Sequence, residues 1–357
     1  MPYIYLPYES LKVFTNEVFS RHGFSLEDSQ TITDVLLCAD LFGIESHGIQ
    51  RLIRYHQALK AGEIDPNIHP LVVHDTPISA VIDAQRAIGH VVGVKAMRLA
   101  IEKAKNSGIG MVAVRNSSHY GIAGYYTTLT LEADMMGISL TNTEAISPPT
   151  FGKQPMLGTN PIAFAMPADP IPFWFDAATT VVPLGKMEVY KKLGKSLPGE
   201  WGVDSDGEET LDAAIVIANL RGGRDGGLLP LGGLGETHGG HKGYGLSMMV
   251  DICTALISGG LTAPHMKAQD GEHTSHFFCA VNYGLFGDKA TIRQKTSEYL
   301  QELRDSEKAK GQNRIYTHGE KAWESREEKL ASGIGVQDKT VEEMRTIAAE
   351  LQIDFLI

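Results

Sequence analysis

The sequence predicts an α/β protein in which a β-sheet with covered faces lies between helical chain ends. Short β-rich runs alternate with helical segments through the middle of the chain, the pattern of a sheet flanked by helices. Apolar residues recur at helical spacing before about residue 65, and the C-terminal 70 residues return to helices rich in Lys and Glu. The chain of 357 residues, 43% hydrophobic and 21% charged, has globular composition and enough length for about two domains with a real core.

Leu11, Phe14, Val18 and Phe19 mark a first helix with Gly23 as its stop. Ser25 with Asp28 forms a capping pattern ahead of Ile32, Val35, Leu36 and Ala39, and Gly43 closes that second helix. Ser46 is placed as the cap of a third helix running to about Ala61 and closed by Gly62. Strands are expected at Leu71–His74, Ala80–Ala84, Met111–Val114, Ile138–Leu140, Ile162–Ala165 and Phe173–Phe175, with helices near 90–106 and 121–136. Residues 195–242 read as a long Gly-, Asp- and Leu-rich loop. A buried helix at Leu246–Ile257 and a strand at His276–Val281 follow, and the C-terminal helices end with Thr340 and Glu343 as a capping box.

Composition excludes some functions. The net charge of −11, with no strongly basic stretch, argues against a nucleic-acid partner. Three scattered cysteines, Cys38, Cys253 and Cys279, give no disulfide framework and point to a reducing compartment. Met1-Pro2-Tyr3-Ile4-Tyr5 lacks the pattern of a signal peptide. The most apolar stretch, Gly243–Leu261, carries Asp251 and fits no bilayer span. A soluble, cytoplasmic protein is expected. The 38 glycines favour sharp turns and close backbone approaches, as ligand-binding enzymes use.

The chemistry-bearing residues fall into groups. No G-x-G-x-x-G follows a strand, since Gly108-Ile109-Gly110 stands after a helix and before a strand, the reverse of the dinucleotide fingerprint. On one continuous helix, His47, Arg51 and Tyr55 would form a polar stripe suited to a small carboxylate, or equally a solvated face. His119, in Ser118-His119-Tyr120-Gly121, sits at the end of a strand, where it would exchange a proton or simply hold a turn. Leu157-Gly158-Thr159-Asn160-Pro161 and Phe175-Asp176-Ala177-Ala178-Thr179 are polar turns at strand ends. Lys242 is expected just before a helix N-terminus, a place to hold an anion, although a glycine-rich hinge reads the same way. The pairs His238/His241 and His273/His276 lack a third ligand at zinc spacing, so no metal site is expected.

Taken in order, Ser46-His47-Gly48 with Arg51 and Tyr55, Ser118-His119-Tyr120-Gly121, Gly158-Thr159-Asn160-Pro161, Phe175-Asp176-Ala177-Ala178-Thr179, Leu229-Pro230-Leu231-Gly232 and His241-Lys242-Gly243-Tyr244-Gly245 resemble the malate/L-lactate dehydrogenase family. This family is distinct from the Rossmann-type lactate and malate dehydrogenases. The resemblance implies a mixed sheet covered by helices in a non-Rossmann nicotinamide-binding domain (76–287). It implies also a helical domain from the two chain ends (1–75 and 288–357), and a homodimer. It makes His119 the acid/base with His47 as the rival. Ser46, Arg51 and Tyr55 would hold the substrate. Thr143, Gly158, Thr159, Asn160, Asp176, Ala177, Ala178 and Lys242 would meet the cofactor, NAD with NADP as the alternative. Gly319 and Glu320 would do so too, although His318 stands where the family has proline. The expected reaction is hydride transfer between NAD(P) and a small 2-hydroxy acid. Malate is the first choice, with Arg54 as a second cation for a dicarboxylate, and lactate, ureidoglycolate, sulfolactate or a cyclic imino acid as alternatives. A zinc-dependent hydrolase using the paired histidines and a non-catalytic nucleotide-binding protein are the readings from other classes.

Overall fold

In the computed structural model, which describes residues 3–268 and 271–355, strand β1 (Tyr3–Leu6) leads into helices α1 (Tyr8–Arg21), α2 (Leu26–Leu41) and α3 (Leu52–Lys60). α1 buries Leu11, Phe14, Val18 and Phe19, as its spacing predicts. The Ser25 hydroxyl accepts the Asp28 amide at 3.1 Å and caps α2. The third helix departs from expectation. Glu45–His47 and Ile49–Arg51 are separate 3-10 turns, and α-helix begins only at Leu52, so Ser46 caps no helix. The cause is Asp40. Its buried carboxylate accepts the Ile49 amide at 2.7 Å and lies on Gly48, where a Cβ would come within 2.0 Å of an oxygen. Gly48 is held extended there (φ −91°, ψ −147°), so His47, Arg51 and Tyr55 do not form one stripe of a continuous helix.

The middle of the chain follows the predicted alternation. β2 (Leu71–Asp75), β3 (Ser79–Asp83), α4 (Gly89–Ser107), β4 (Ile109–Ser117), α5 (Ala123–Glu132), β5 (Met136–Thr141), β6 (Ile162–Met166) and β7 (Phe173–Ala177) succeed one another. The expected loop at 195–242 instead holds structure. After α6 (Leu184–Leu193) come β8 (Gly202–Val203), α7 (Ala213–Arg221) and β9 (Gly227–Leu228), around a small core of Val182, Met187, Leu197, Val216 and Leu228. α7 escaped the periodicity because it is nine residues long; the Asp212 carboxylate caps it at 2.7 Å.

α8 (Gly240–Asp251) continues into a π-helical turn at Ile252–Leu256. This segment is not the buried helix expected: Leu246, Met249, Ile252 and Leu256 are 38%, 43%, 47% and 59% exposed. The ribbon β10 (Lys267–Ala268) and β11 (Gly271–Glu272) precedes β12 (Thr274–Val281). Then come α9 (Lys289–Asp305), α10 (Glu320–Ser332), β13 (Ile334–Gln337) and α11 (Asp338–Leu351). Thr340 and Glu343 do not cap: α11 already starts at Asp338, because β13 pairs with β1, Leu6 opposite Ile334, and feeds directly into it.

The main sheet has seven strands in the order β2-β3-β4-β12-β5-β6-β7. β3 and β4, joined by the crossover helix α4, run parallel, and the other neighbours are antiparallel, so the sheet is mixed. One core joins α1, α2, α3 and α11 through Leu11, Phe19, Leu36, Leu52 and Ile347. A second packs α4 and α5 on the sheet through Val92, Met97, Val112, Tyr126 and Phe278. Within it Tyr126 stacks on Tyr120 (4.6 Å, 17°) and Tyr120 on His276 (4.3 Å, 5°). Among the described residues no helix is long and apolar enough to cross a membrane.

The stack leaves no slack where α4 meets α5: a Cβ on Gly93 would stand 2.5 Å from the Tyr126 ring. Gly93→Ala is expected to destabilise the protein by about 1–3 kcal/mol, the usual cost of overpacking a filled core. Thermal melts of the two proteins check this, and an unchanged Tm would show that the tyrosine stack can yield.

Candidate active site

His119 lies just past the end of β4, on a loop fixed from two sides. The Gly89 amide at the start of α4 donates to the Ser118 hydroxyl at 3.0 Å, and the Tyr126 hydroxyl donates to the Tyr120 carbonyl. Nδ1 of His119 receives the Gly121 amide N–H at 3.3 Å, so in the neutral ring Nδ1 is an acceptor and Nε2 carries the proton. The Tyr55 hydroxyl donates to the same Nδ1 at 2.5 Å. His47 stacks on His119 with ring centres 5.5 Å apart and planes at 25°. The expected substrate group is therefore gathered on His119, although through two 3-10 turns and a short helix.

Ser46 and Arg51 brace this group. The Ser46 hydroxyl and Nδ1 of His47 are 2.8 Å apart, and Arg51 Nε donates to the Ser46 carbonyl at 2.6 Å. Burial pushes His119 well below the ordinary histidine range, and His47, Arg54, His90 and Arg51 add to it. His47 is pushed down to about 4, by burial first and then by Arg51 and Arg54. Both rings are neutral near pH 7. The positive field that adds to burial in keeping them neutral is the field an anion at this site would meet.

A second cluster forms around Thr143. Its hydroxyl accepts the Thr159 amide at 2.8 Å, its amide donates to Asn160 Oδ1 at 3.2 Å, and a Cβ on Gly158 would lie 2.2 Å from its oxygen. Asn160 is fully buried and donates to the Ser247 carbonyl of α8 at 3.0 Å. Thr179, next to Ala177 and Ala178, donates from its amide to the Thr159 carbonyl at 2.8 Å, and Leu231 in turn donates to the Thr179 carbonyl at 2.8 Å. The polar turns read separately in the sequence are thus linked by one chain of hydrogen bonds. Lys242 stands in the first turn of α8, not before it, and is exposed. No side chain caps that N-terminus; the Lys242 amide donates to the Gly239 carbonyl at 2.9 Å, and the exposed Lys242 ammonium at the positive end of the helix fits an anionic diphosphate.

Asp176 ties the two clusters together by accepting the Gly124 amide at 2.7 Å. Burial raises its pKa to about 6 against the pull of that amide. His318 packs against Phe175 (5.1 Å), and its carbonyl accepts the Trp174 amide, which brings Gly319 to the same strand. Glu320, almost fully buried, accepts from Arg314 at 2.7 Å and from the Thr317 hydroxyl at 3.1 Å, so its carboxylate is engaged within the fold. His238 is bonded to Glu200 (2.9 Å), His273 to Asn116 (3.1 Å) and His276 to Thr141 (2.8 Å), and among the described residues no cluster of metal-ligating groups forms. Sequence reasoning missed Asp40 and His90. Neither belongs to a pattern of chemical groups, and a lone buried polar residue in a helix carries no signal of its neighbours.

The sequence profile described as malate/L-lactate dehydrogenase matches residues 6–345. The chain is 43% identical to the malate dehydrogenase of Pyrococcus abyssi over 355 residues, 98% of this chain and 96% of that one. It is 39% identical to the L-sulfolactate dehydrogenase of Methanocaldococcus jannaschii over 311 residues, 85% of each. Among solved structures it is similar to malate dehydrogenase from Entamoeba histolytica, with a TM-score of 0.96 and 34% identity over 99% of this chain and 100% of that one.

The buried histidines give stability a pH dependence of known sign. His276, like His90, is held down to about 3 by burial, so the unfolded chain binds protons that the native state refuses. Each such histidine therefore costs stability as pH falls below about 6.5. Asp40, raised to about 7 by burial, and Asp176 act in the opposite sense, so a single substitution is the clean test. His276→Phe keeps the ring against Tyr120 but removes one titration. Its Tm is expected to fall less steeply than wild type between about pH 6.5 and 4. Parallel slopes would mean that His276 is not buried neutral.

Proposed function

The chain belongs to the malate/L-lactate dehydrogenase family, and we propose that it interconverts malate and oxaloacetate with a nicotinamide cofactor, NAD in the first instance. The observation that carries this reading is the Tyr55–His119 pair set beside His47 and Arg51, within the field of Arg54. A bound nicotinamide would supply the acceptor for the hydride on C2 of the hydroxy acid. The protein's part is to hold the acid and to handle the hydroxyl proton.

Arg51 and Arg54 supply cations for two carboxylates. Nδ1 of His119 is occupied by Tyr55 and Gly121, which leaves Nε2 for the substrate oxygen. In reduction the doubly protonated ring donates its Nε2 proton to the substrate oxygen and is left protonated on Nδ1, toward the Tyr55 oxygen; in oxidation that Nδ1–H form of the ring takes the hydroxyl proton on Nε2. The Tyr55 hydroxyl can serve both states, donating to Nδ1 when it is bare and accepting from it when it is protonated. A bound dicarboxylate offsets the arginine field and raises the pKa of His119, so proton uptake accompanies oxo-acid binding. Lys242 and the α8 amides would hold the cofactor diphosphate, in the part of the chain assigned to cofactor binding (76–287). The helical ends (1–75 and 288–357) bring the substrate residues. A cytoplasmic location accords with three unpaired cysteines.

We assay oxaloacetate, pyruvate and a cyclic imino acid with NADH and with NADPH at the nicotinamide absorbance. Oxaloacetate is expected to show the highest kcat/KM, and Arg51→Ala to raise its KM. His119→Ala should lower kcat by roughly 10²–10⁴ with cofactor binding intact, whereas His47→Ala keeps the pH limb. In reduction, the limb in kcat should lie at higher pH than the limb in kcat/KM, because only the former reports the complex. If His47→Ala removes the limb and His119→Ala keeps near-normal kcat, the proton belongs to His47. A higher kcat/KM with pyruvate or the imino acid would overturn the choice of malate.

The exposed stripe Leu246, Met249, Ile252 and Leu256 supports a homodimer, since a second copy covering it would remove this apolar surface from water. Ile252→Glu combined with Leu256→Glu is expected to yield a monomer in sedimentation velocity, and an unchanged mass would put the interface elsewhere.

A further inference from the structure

We propose that Asp40 is a positioning residue for substrate binding: by taking the Ile49 amide it releases the Ser46 carbonyl to hold the Arg51 guanidinium ready for a carboxylate. The proposal rests on reading Arg51 as the grip on the substrate. Asp40 is the penultimate residue of α2 and 2% exposed. Its side chain leaves its own helix and enters the backbone hydrogen bonding of the 45–51 segment.

In an α-helix each amide donates to the carbonyl four residues back. Ile49 would then donate to Glu45, and Gln50 to Ser46. Asp40 Oδ2 takes the Ile49 amide instead, at 2.7 Å. The Glu45 carbonyl is left to the Gly48 amide, at 3.1 Å, and to the Gln50 side chain. The chain tightens into two 3-10 turns, and the Ser46 carbonyl, outside any continuous ladder, receives Nε of Arg51 at 2.6 Å. That bond matters for affinity. An arginine free to rotate gives up much side-chain entropy when it grips a ligand, and a bond already made at Nε lowers this cost. With Nε spent on Ser46, Nη1 and Nη2 are the edge left to receive a carboxylate on two parallel hydrogen bonds.

Asp40 is itself held in place. Lys329 of α10 donates to its carbonyl at 2.7 Å, and its carboxylate fills the space that a Cβ on Gly48 would need. A buried carboxyl is costly. An apolar side chain would fill this place more cheaply but would accept nothing from Ile49. The grip of Arg51 thus depends on a side chain of a different helix, fastened from behind by the C-terminal part of the chain.

The test pairs steady-state kinetics with NMR of ¹⁵N-arginine-labelled protein. In the wild type the Arg51 Nε–H, assigned through the loss of its signal in Arg51→Lys, should exchange slowly with water, as a hydrogen-bonded group in a stable fold does. Asp40→Ala should speed that exchange and raise KM for oxaloacetate about tenfold, with kcat and NADH affinity within about threefold, the pattern of lost binding rather than lost chemistry. Asp40→Asn keeps an acceptor for the Ile49 amide and should hold KM within about threefold of wild type. In the Arg51→Ala background Asp40→Ala should raise KM no further, because the two residues act through one contact. A purely structural Asp40 would lower Tm while leaving KM and the Nε–H exchange unchanged, and that result overturns the proposal. Equal rises in KM with and without Arg51 overturn it too. Fast exchange of the wild-type Nε–H does the same and needs no Asp40 variant to fold. Arg51→Ala with an unchanged KM overturns the reading of Arg51 and this proposal with it, whereas a raised KM there beside an unchanged one in Asp40→Ala overturns the proposal alone.

Discussion

The hydrogen bond from the Tyr55 hydroxyl to Nδ1 of His119 joins groups 64 residues apart, one from the helical chain end and one from the sheet. Much of the architecture serves to bring those two atoms together. α3 is packed into the first core by Leu52, and the Tyr55 ring, 3% exposed, points from that helix toward the sheet. On the other side, the stack of Tyr126, Tyr120 and His276 fixes the loop from beneath. Neither half holds a complete site. Tyr55 and His47 meet His119 only when both cores have formed.

The electrostatics of the site follow from the same burial. Placing His47, His90 and His119 together out of water, near Arg51 and Arg54, makes an imidazolium costly and keeps all three rings neutral. Arginine cannot respond in kind, since its charge is retained at any pH the protein meets. The result is a cluster whose fixed charge is positive and whose histidines are neutral. Asp40 shows the complementary case. Its carboxyl, raised to about 7 by burial, is spent on the Ile49 amide and shapes the turn that carries His47 without adding a full negative charge beside it.

The sequence was most legible where a local pattern and the tertiary structure agree. The strands of the main sheet, the crossover helix at Gly89–Ser107 and the first two helices follow from hydrophobic period and turn residues. Ser46, His47, Arg51, Tyr55 and His119 stood out only within the ordered set of motifs, since each alone reads as well as a solvated face or a turn; the structure brings them together around one ring. What failed did so for a tertiary reason. The helix expected from Ser46 is interrupted by a carboxylate from α2, and β1 and β13 are short strands that exist only by pairing with each other. The apolar run at Leu246–Ile257 was read as buried, yet one side of it faces out. Apolar character shows that a surface will be covered, not whether its own chain covers it. His90 was invisible for a different reason. A single histidine at a helix start reads as an ordinary buried residue until its ring is seen against those of Tyr55 and His119.

The register of the mixed sheet explains why motifs so far apart in sequence work together without a dinucleotide fingerprint. β12 runs antiparallel to β4, and Thr274 pairs with Ser117, so the N-terminal end of β12 lies beside the C-terminal end of β4. His276 pairs with Thr141, which puts the end of β5, and Thr143 beyond it, at the same edge. Leu140 pairs with Ile162, and Ile162 with Ala177, so the Gly158–Asn160 turn and the Asp176–Ala178 strand end arrive there too. A parallel sheet would collect ligand-binding turns only at the C-terminal ends of its strands. Here alternate strands contribute opposite ends to one edge, and turns that enter strands serve as well as turns that leave them. The phosphate-holding role that a Rossmann fold gives to its first crossover helix would, on the proposed reading, pass to α8, an element far down the chain. The Asn160–Ser247 hydrogen bond ties that helix to the edge.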